Sequence, residues 1–218
     1  MKKFIVILIS VFVSFSFVSC NFGGSVSKKQ EREKFVRDSI IRAEFVRDSI
    51  ERDRKNAEII KNMVSNFIIK GDEFSTNKWV LPKSKPKYRN QNGVYTYFEL
   101  NGNKAENFRF VFQYYADDWL FIKKMTFNID DELFTIVPDM DTDCGYGGKI
   151  WEWCDESVTN DSTEYSVNEN FIKKLANAKS VKVKLSGRQY YDTKTLTETQ
   201  IKSIKQVYNQ YVLLGGEF

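Results

Sequence analysis

The pattern of hydrophobic and polar positions predicts a long helix near the start of the chain. Residues 29–69 are dense in charges of both signs and contain no glycine or proline. The motif FVRDSI at Phe35–Ile40 recurs at Phe45–Ile50, and oppositely charged residues four apart favour a helix here. Apolar residues from Ile59 to Ile68 recur at helical spacing. We therefore expect this half to pack on the rest of the protein and the half from Lys28 to Lys55 to be solvated.

After Trp79 the pattern changes to short apolar strings, several of them alternating with polar residues, which predict strands. Turn-forming sequences such as Asn101-Gly102-Asn103 separate them. Two more helices are expected, over Glu169–Ala178 and from a capping box at Thr197 to Gly215-Gly216. The predicted strands are Val94–Leu100, Phe108–Tyr115, Trp119–Ile129, Glu132–Val137, Lys149–Trp153 and Val181–Leu185. The expected fold class is α+β: a mainly antiparallel β body, either a sandwich or a curled sheet, with a long N-terminal helix and a C-terminal helix.

The first twenty residues have the organisation of a secretory signal peptide. Two lysines precede an apolar run, Phe4 to Val18, which is broken only by serines and is short for a membrane span. The run leads to Cys20, and this ending resembles the lipobox of bacterial lipoproteins, whose cysteine is lipidated and becomes the new N-terminus. Phe17 and Val18 depart from the residues commonest in that box. An ordinary cleaved signal peptide with an incidental cysteine is the alternative.

The lipobox resemblance implies an exported protein, anchored in the membrane of the bacterial cell envelope by acyl chains on Cys20. Asn21 is not the aspartate associated with retention in the inner membrane of some bacteria, so the outer membrane is favoured. The oligomeric state of the helix stays open. The chain is thus divided into a signal peptide (1–19), a lipidated tether (20–28), a charged helical stalk (29–70) and a β-rich globular domain (71–218).

Composition narrows the function classes. The chain has 33 basic and 29 acidic residues, a net charge of +4, so no nucleic-acid partner is expected. It contains no histidine, which excludes Ser-His-Asp and Cys-His catalysis and the histidine-rich zinc sites of metalloproteases. Composition therefore favours a binding or structural protein over an enzyme.

Two cysteines remain beyond the signal region, Cys144 and Cys154. In an oxidising compartment a nearby pair of this kind predicts a disulfide that closes a short loop. Two free thiols are the alternative, and a metal site lacks enough further ligands.

An acidic run precedes these cysteines. Asp139, Asp141 and Asp143 alternate as in the opening of a calcium-binding loop, and a glycine-rich turn follows. The pattern fails at Cys144, where glycine is needed, and at Ile150, where a bidentate glutamate is needed. Calcium is therefore a candidate cofactor, and a solvated acidic loop is the alternative.

Four aromatic residues are candidates for ligand binding. Trp151 and Trp153 are two apart, so on a strand they share one face. Together with Tyr190 and Tyr191 they could form a platform for sugar rings or for an envelope protein. Burial of the tryptophans in the core is the alternative.

Carboxylates suggest a rival function. Glu152, Asp155, Glu156 and the Asp117-Asp118 pair could supply the two carboxyl groups that a carbohydrate hydrolase needs, although nothing in the sequence places two of them across a cleft.

Three serines are candidates for O-glycosylation. Ser39, Ser49 and Ser162 each follow an aspartate and precede an apolar residue or threonine, as at the sites where some periplasmic systems attach glycans.

Three aromatic-rich segments carry a further resemblance. They are Tyr114–Trp119, Gly148–Trp153 and Gly187–Asp192, and through them the region from Trp79 to Tyr211 resembles a domain of uncharacterised lipoproteins of Gram-negative bacteria. The resemblance brings no catalytic residues. The sequence therefore predicts a lipid-anchored envelope protein with a non-enzymatic binding or structural role and a protein or glycan ligand; the carboxylate-based hydrolase is the alternative.

Overall fold

The computed structural model describes residues 25–71, 73–144, 149–160 and 165–218. The chain divides into two compact units, one ending at Ser49 and one comprising Ile50–Phe218. The helices are α1 (Ser25–Met63), α2 (Glu169–Asn177) and α3 (Glu198–Leu213). The strands are β1 (Phe67–Lys70), β2 (Asn77–Pro82), β3 (Gly93–Asn101), β4 (Lys104–Ala116), β5 (Lys124–Ile129), β6 (Glu132–Ile136), β7 (Asp141–Cys144), β8 (Ile150–Ser157), β9 (Val181–Ser186) and β10 (Tyr191–Thr195).

The first unit contains the N-terminal part of α1. From Lys28 to Asp48 every side chain is exposed, including the large apolar ones of the repeated motif, Phe35 at 75% and Phe45 at 69%. This agrees with the expected solvated half of the helix. In the part of the chain that the structure describes, no helix has both the length and the apolar character needed to cross a membrane.

The end of α1 lies in the second unit and differs from the prediction. The helix ends at Met63, and Phe67–Lys70 forms β1, which pairs antiparallel with β2. The apolar residues after Met63 therefore follow strand rather than helical spacing, since a run rich in isoleucine suits an extended strand as well as a helix. Met63 and Phe67 are buried as expected, but Val64 is 57% exposed. Asn56 anchors the helix, because its buried amide donates to the carbonyl oxygens of Asn103 and Leu214 at 3.0 and 3.4 Å.

The strands form two antiparallel sheets, so the predicted α+β class with a mainly antiparallel β body is confirmed. The larger sheet has six strands in the order β1-β2-β3-β4-β8-β7, and the smaller has four in the order β10-β9-β5-β6. The segment from Trp119 to Lys123 was expected to be strand but is irregular, and β5 begins only at Lys124. The capping box at Thr197 is present at the start of α3.

Both sheets contribute to one hydrophobic core. Phe110 of β4 lies 6.2 Å from Phe127 of β5 and 5.5 Å from Phe171 of α2, measured between ring centroids. Tyr211 of α3 packs on Phe108 of β4 at 5.0 Å. One face of the six-stranded sheet is thus covered by the smaller sheet and by α2 and α3. The other face, the open face, is covered in part by the loop that carries Arg89.

Candidate functional site

Half-buried aromatic side chains lie on the open face of the six-stranded sheet. Along each strand they alternate with fully buried residues of the core face: Val80 and Phe98, for example, are both 0% exposed. The ladder registers align the strands, because Tyr95 and Asp155 both lie opposite Val111 of β4. We call this surface the aromatic face; its aromatic residues are Trp79, Tyr95, Tyr97, Tyr115, Trp151 and Trp153.

A notch of about 220 Å³ opens in the aromatic face. The rings of Trp79 and Tyr97 meet edge to face at 5.2 Å, and those of Tyr95 and Tyr97 lie 6.4 Å apart. The notch is lined by Lys70, Trp79, Leu81, Tyr95, Tyr97 and Asp155. It therefore combines apolar walls with one ammonium and one carboxylate group.

Asp155 is held in place by two neighbours. The Tyr97 hydroxyl donates to its Oδ2 at 2.6 Å, and Arg109 Nε donates to its Oδ1 at 2.9 Å. Arg109 also donates to the backbone carbonyl of Asp155, at 2.6 Å, and to Ser157 Oγ. Both carboxylate oxygens are thus engaged, and the charge of Asp155 is balanced by a guanidinium.

The two phenols of the notch are neutral at ordinary pH. Burial, and after it the negative charge of Asp155, raises the pKa of Tyr95 to about 12. Burial also raises the pKa of Tyr97, and its hydrogen bond to Asp155 raises it further. A neutral phenol can donate a hydrogen bond, but the proton of Tyr97 is already used. Among the described residues, the Tyr95 hydroxyl, the Trp79 indole N–H and the Lys70 ammonium have no hydrogen-bond or ion-pair partner.

Trp151 and Trp153 form a separate cluster on the same face. Their rings stack with centroids 3.8 Å apart, and the Arg89 guanidinium lies 4.0 Å from the Trp151 ring. Arg89 also pairs with Asp143 at 3.4 Å. Gln113 fixes the loop that carries Arg89, because its side-chain amide donates to the carbonyls of three loop residues, at 2.7–3.0 Å. The tryptophans are therefore neither core residues nor free stacking surfaces.

The predicted platform of Trp151, Trp153, Tyr190 and Tyr191 is wrong, because the two tyrosines do not lie on the sheet that carries the tryptophans. Tyr190 and Tyr191 are 71% and 66% exposed, but Tyr191 is the first residue of β10, in the smaller sheet, and Tyr190 directly precedes it. Lys184 of β9 lies 4.4 Å from the Tyr191 ring. The aromatic residues that share the face with the two tryptophans are Trp79, Tyr95, Tyr97 and Tyr115, which we did not single out from the sequence. The alternation of Tyr95-Tyr97 with Val94-Thr96-Phe98 could have indicated them.

The predicted disulfide between Cys144 and Cys154 is also wrong, because the structure has two free thiols. Cys144 lies opposite Ile150, four residues before Cys154 on β8, a separation of about 13 Å along the strand. A disulfide needs Cα atoms about 4.4–6.8 Å apart. Cys154 instead packs in the core at 1% exposure, where burial raises the pKa of its thiol to about 12.

Among the described residues, the acidic run does not gather the ligands of a calcium site. Asp141 and Asp143 lie on β7, an extended edge strand, and Asp143 pairs with Arg89. The Asp139 backbone N–H donates to the Glu156 carboxylate at 2.7 Å. No cluster of three or more metal-ligating residues occurs within the described ranges. The glycines at 145, 147 and 148 lie outside them.

Glu152 has a structural role that the sequence did not reveal. It is 0% exposed, and its carboxylate accepts the backbone N–H groups of Leu120, Phe121 and Ile122 at 2.9, 2.9 and 2.7 Å. These bonds replace the water that a buried carboxylate loses. Glu152 therefore fixes the irregular segment before β5 and faces the core rather than the aromatic face.

The remaining predicted sites are the three glycosylation serines and the lipidated cysteine. Ser39 is exposed on α1, where its hydroxyl donates to the carbonyl of Phe35, and Ser49 is half-buried. Cys20 and Ser162 lie outside the described residues. Comparison of the chain with protein-family models, with curated proteins and with solved structures found no match.

Proposed function

We propose that this protein is a lipid-anchored binding protein of the bacterial cell envelope and that its ligand, a glycan or a protein, binds on the aromatic face. The observation that carries the proposal is the notch at Trp79, Tyr95 and Tyr97. Its walls are aromatic, and three of its donors have no partner among the described residues. A concave apolar surface with a few convergent polar groups is the usual form of a ligand site.

The location of the aromatics supports binding over a purely structural role. Aromatic side chains that are needed only for stability are buried in the core, as Phe98, Phe110 and Phe127 are. Those of the aromatic face lie instead on the open side of a sheet, where a ligand gains from both their apolar area and their polar tips.

Anchoring comes from the N-terminal sequence. The lysines, the apolar run and Cys20 support export and acylation, and two or more acyl chains would hold the protein at the membrane. In the sequence, the charged helix separates the anchor from the unit that carries the notch.

Binding is also favoured over the rival function, carbohydrate hydrolysis. A hydrolase needs two carboxyl groups that face each other across the substrate. Asp155 is the one carboxylate among the residues that line the notch, and Tyr97 and Arg109 already engage it. Glu152 is bound to three backbone N–H groups on the other side of the sheet.

The proposal is tested with paired variants of the full-length protein in a neutral detergent. A glycan array and cross-linking to isolated envelopes identify bound ligands, and binding is then measured for Trp79→Ala with Tyr95→Phe. The matched control is Tyr190→Ala with Tyr191→Ala, which removes two more exposed aromatics from the other sheet. We expect ligand to be lost only in the first variant. Retained binding in that variant, or equal loss in both, would contradict the proposal.

A further inference from the structure

The notch differs from a neutral sugar or peptide site in its charge. Lys70 lines it, is exposed, and makes no ion pair with any described residue. The carboxylate of Asp155 forms no ion pair with Lys70, because its two oxygens accept hydrogen bonds from Tyr97 and Arg109. Among the described residues, the positive charge of Lys70 at the notch is therefore not compensated by an ion pair.

A second lysine strengthens this positive field. Lys85 is half-buried, and its ammonium is close enough to Lys70 for the two charges to repel each other. Burial lowers the pKa of Lys85, and the charge of Lys70 lowers it further. The only hydrogen bond of Lys85 among the described residues is with the carbonyl of Pro86, at 3.4 Å. The repulsion between two like charges held close together is relieved when an anion binds beside them.

The aromatic walls define the shape of that ligand. The notch volume of about 220 Å³ suits one six-membered ring rather than an extended chain. The free hydroxyl of Tyr95 and the free indole N–H of Trp79 are donors, which suits a ligand rich in oxygen acceptors.

We infer that the notch binds a sugar ring that carries a negatively charged group, with the ring against Trp79 and Tyr95 and the anionic group toward Lys70. This inference rests on the proposed function, because it uses the same site. The charged group is a carboxylate, as in a uronic acid, or a sulfate or phosphate ester on the sugar. The Lys70 ammonium recognises the charge that all of these share.

Calorimetric titration of the full-length protein tests the inference with three probes of equal length. They are a hexasaccharide of galacturonic acid, the same hexasaccharide with its carboxylates reduced to alcohols, and a sulfated neutral hexasaccharide. We expect the acidic probes to bind about tenfold or more tightly than the neutral one, and added salt to remove most of this difference. The two acidic probes distinguish carboxylate from sulfate as the preferred group.

Four variants separate the inference from the proposed function. Lys70→Gln should weaken acidic-probe binding about tenfold, Lys85→Gln should weaken it less, and both should leave the neutral probe unaffected. Lys78→Gln, on the same strand as Trp79, is the matched control and should bind as wild type. Tyr95→Phe removes one hydroxyl without a partner and should weaken all probes without lowering Tm.

The possible results lead to different conclusions about the inference and about the proposed function. If the neutral and acidic probes bind equally, or if Lys70→Gln binds as wild type, the inference is overturned, while loss of binding in Tyr95→Phe still supports the proposed function. If no hexasaccharide binds to wild type, the inference is overturned, and the proposed function then depends on the other ligands found in its own test.

Discussion

The buried carboxylate of Glu152 allows a sharp test of how the fold is held together. Its three backbone donors come from consecutive residues, Leu120 to Ile122, and both ends of this segment are buried, at 7% and 5% exposure. The middle residue, Phe121, has a φ of 52°, in the left-handed region that non-glycine residues adopt at a cost of about 1–2 kcal/mol. The carboxylate holds the backbone in this conformation.

Replacement of Glu152 should destabilise the protein strongly. In Glu152→Ala the buried N–H groups lose their acceptor at about 1–3 kcal/mol each, and partial rehydration of the segment leaves a net loss of about 3–5 kcal/mol. In Glu152→Gln one oxygen remains while the amide group faces a backbone donor, so we expect a loss of about 1.5–3 kcal/mol. The matched control is Glu156→Gln on the same strand, whose carboxylate accepts one N–H from an exposed residue. It should cost less than about 1 kcal/mol.

Urea denaturation followed by tryptophan fluorescence measures these differences as shifts of the transition midpoint at constant slope. If Glu152→Ala and Glu152→Gln each changed the free energy of unfolding by less than about 0.5 kcal/mol, the reasoning would be refuted, since the segment would not depend on the carboxylate.

Three further predictions concern the thiols, the helix and the anchor. In the native protein Cys144 should react with a thiol reagent at pH 8 without prior reduction. Cys154 should react only after unfolding, because burial raises its pKa to about 12 and keeps it a neutral thiol. If both thiols react only after reduction, the two cysteines form a disulfide and this prediction is wrong. Deletion of residues 21–49 should change Tm by less than about 2 °C. Deletion of residues 21–63 also removes the buried Asn56 and Met63 and should lower Tm by about 10 °C or more. Equal effects of the two deletions would contradict this division and show that the helix is stabilised as one unit. Cys20→Ala should move the protein from the membrane fraction to the soluble fraction or leave it unprocessed, and an unlipidated N-terminus in the intact mass of the native protein would contradict the anchor.

The fold was predictable where local pattern and tertiary packing agree. The alternation in Val181–Leu185 corresponds to β9, and the capping box at Thr197 begins α3, because each signal depends only on neighbours in the sequence. The end of α1 was mispredicted, since Phe67 to Ile69 is compatible with a helix until it is paired with β2. The irregular segment before β5 depends on Glu152, some thirty residues later, and no local pattern reveals such a contact.

The candidate site was predictable in part. Spacing correctly placed Trp151 and Trp153 on one face of a strand, and the structure places that face toward solvent. The grouping with Tyr190 and Tyr191 failed, because sequence order does not tell which sheet a strand joins. The predicted disulfide between Cys144 and Cys154 failed because residues close in the sequence need not be close in space. The register of β7 on β8 separates the two cysteines.

The most direct test of the central claim is to map where the ligand binds. Chemical shifts of the isotope-labelled full-length protein in neutral detergent micelles are recorded with and without the galacturonic acid hexasaccharide. We predict that the largest changes cluster at Lys70, Trp79, Tyr95 and Tyr97, with no change at Tyr190 or Tyr191. Changes centred on β10 or on the exposed part of α1, with the notch unaffected, would contradict the assignment of the aromatic face as the binding site.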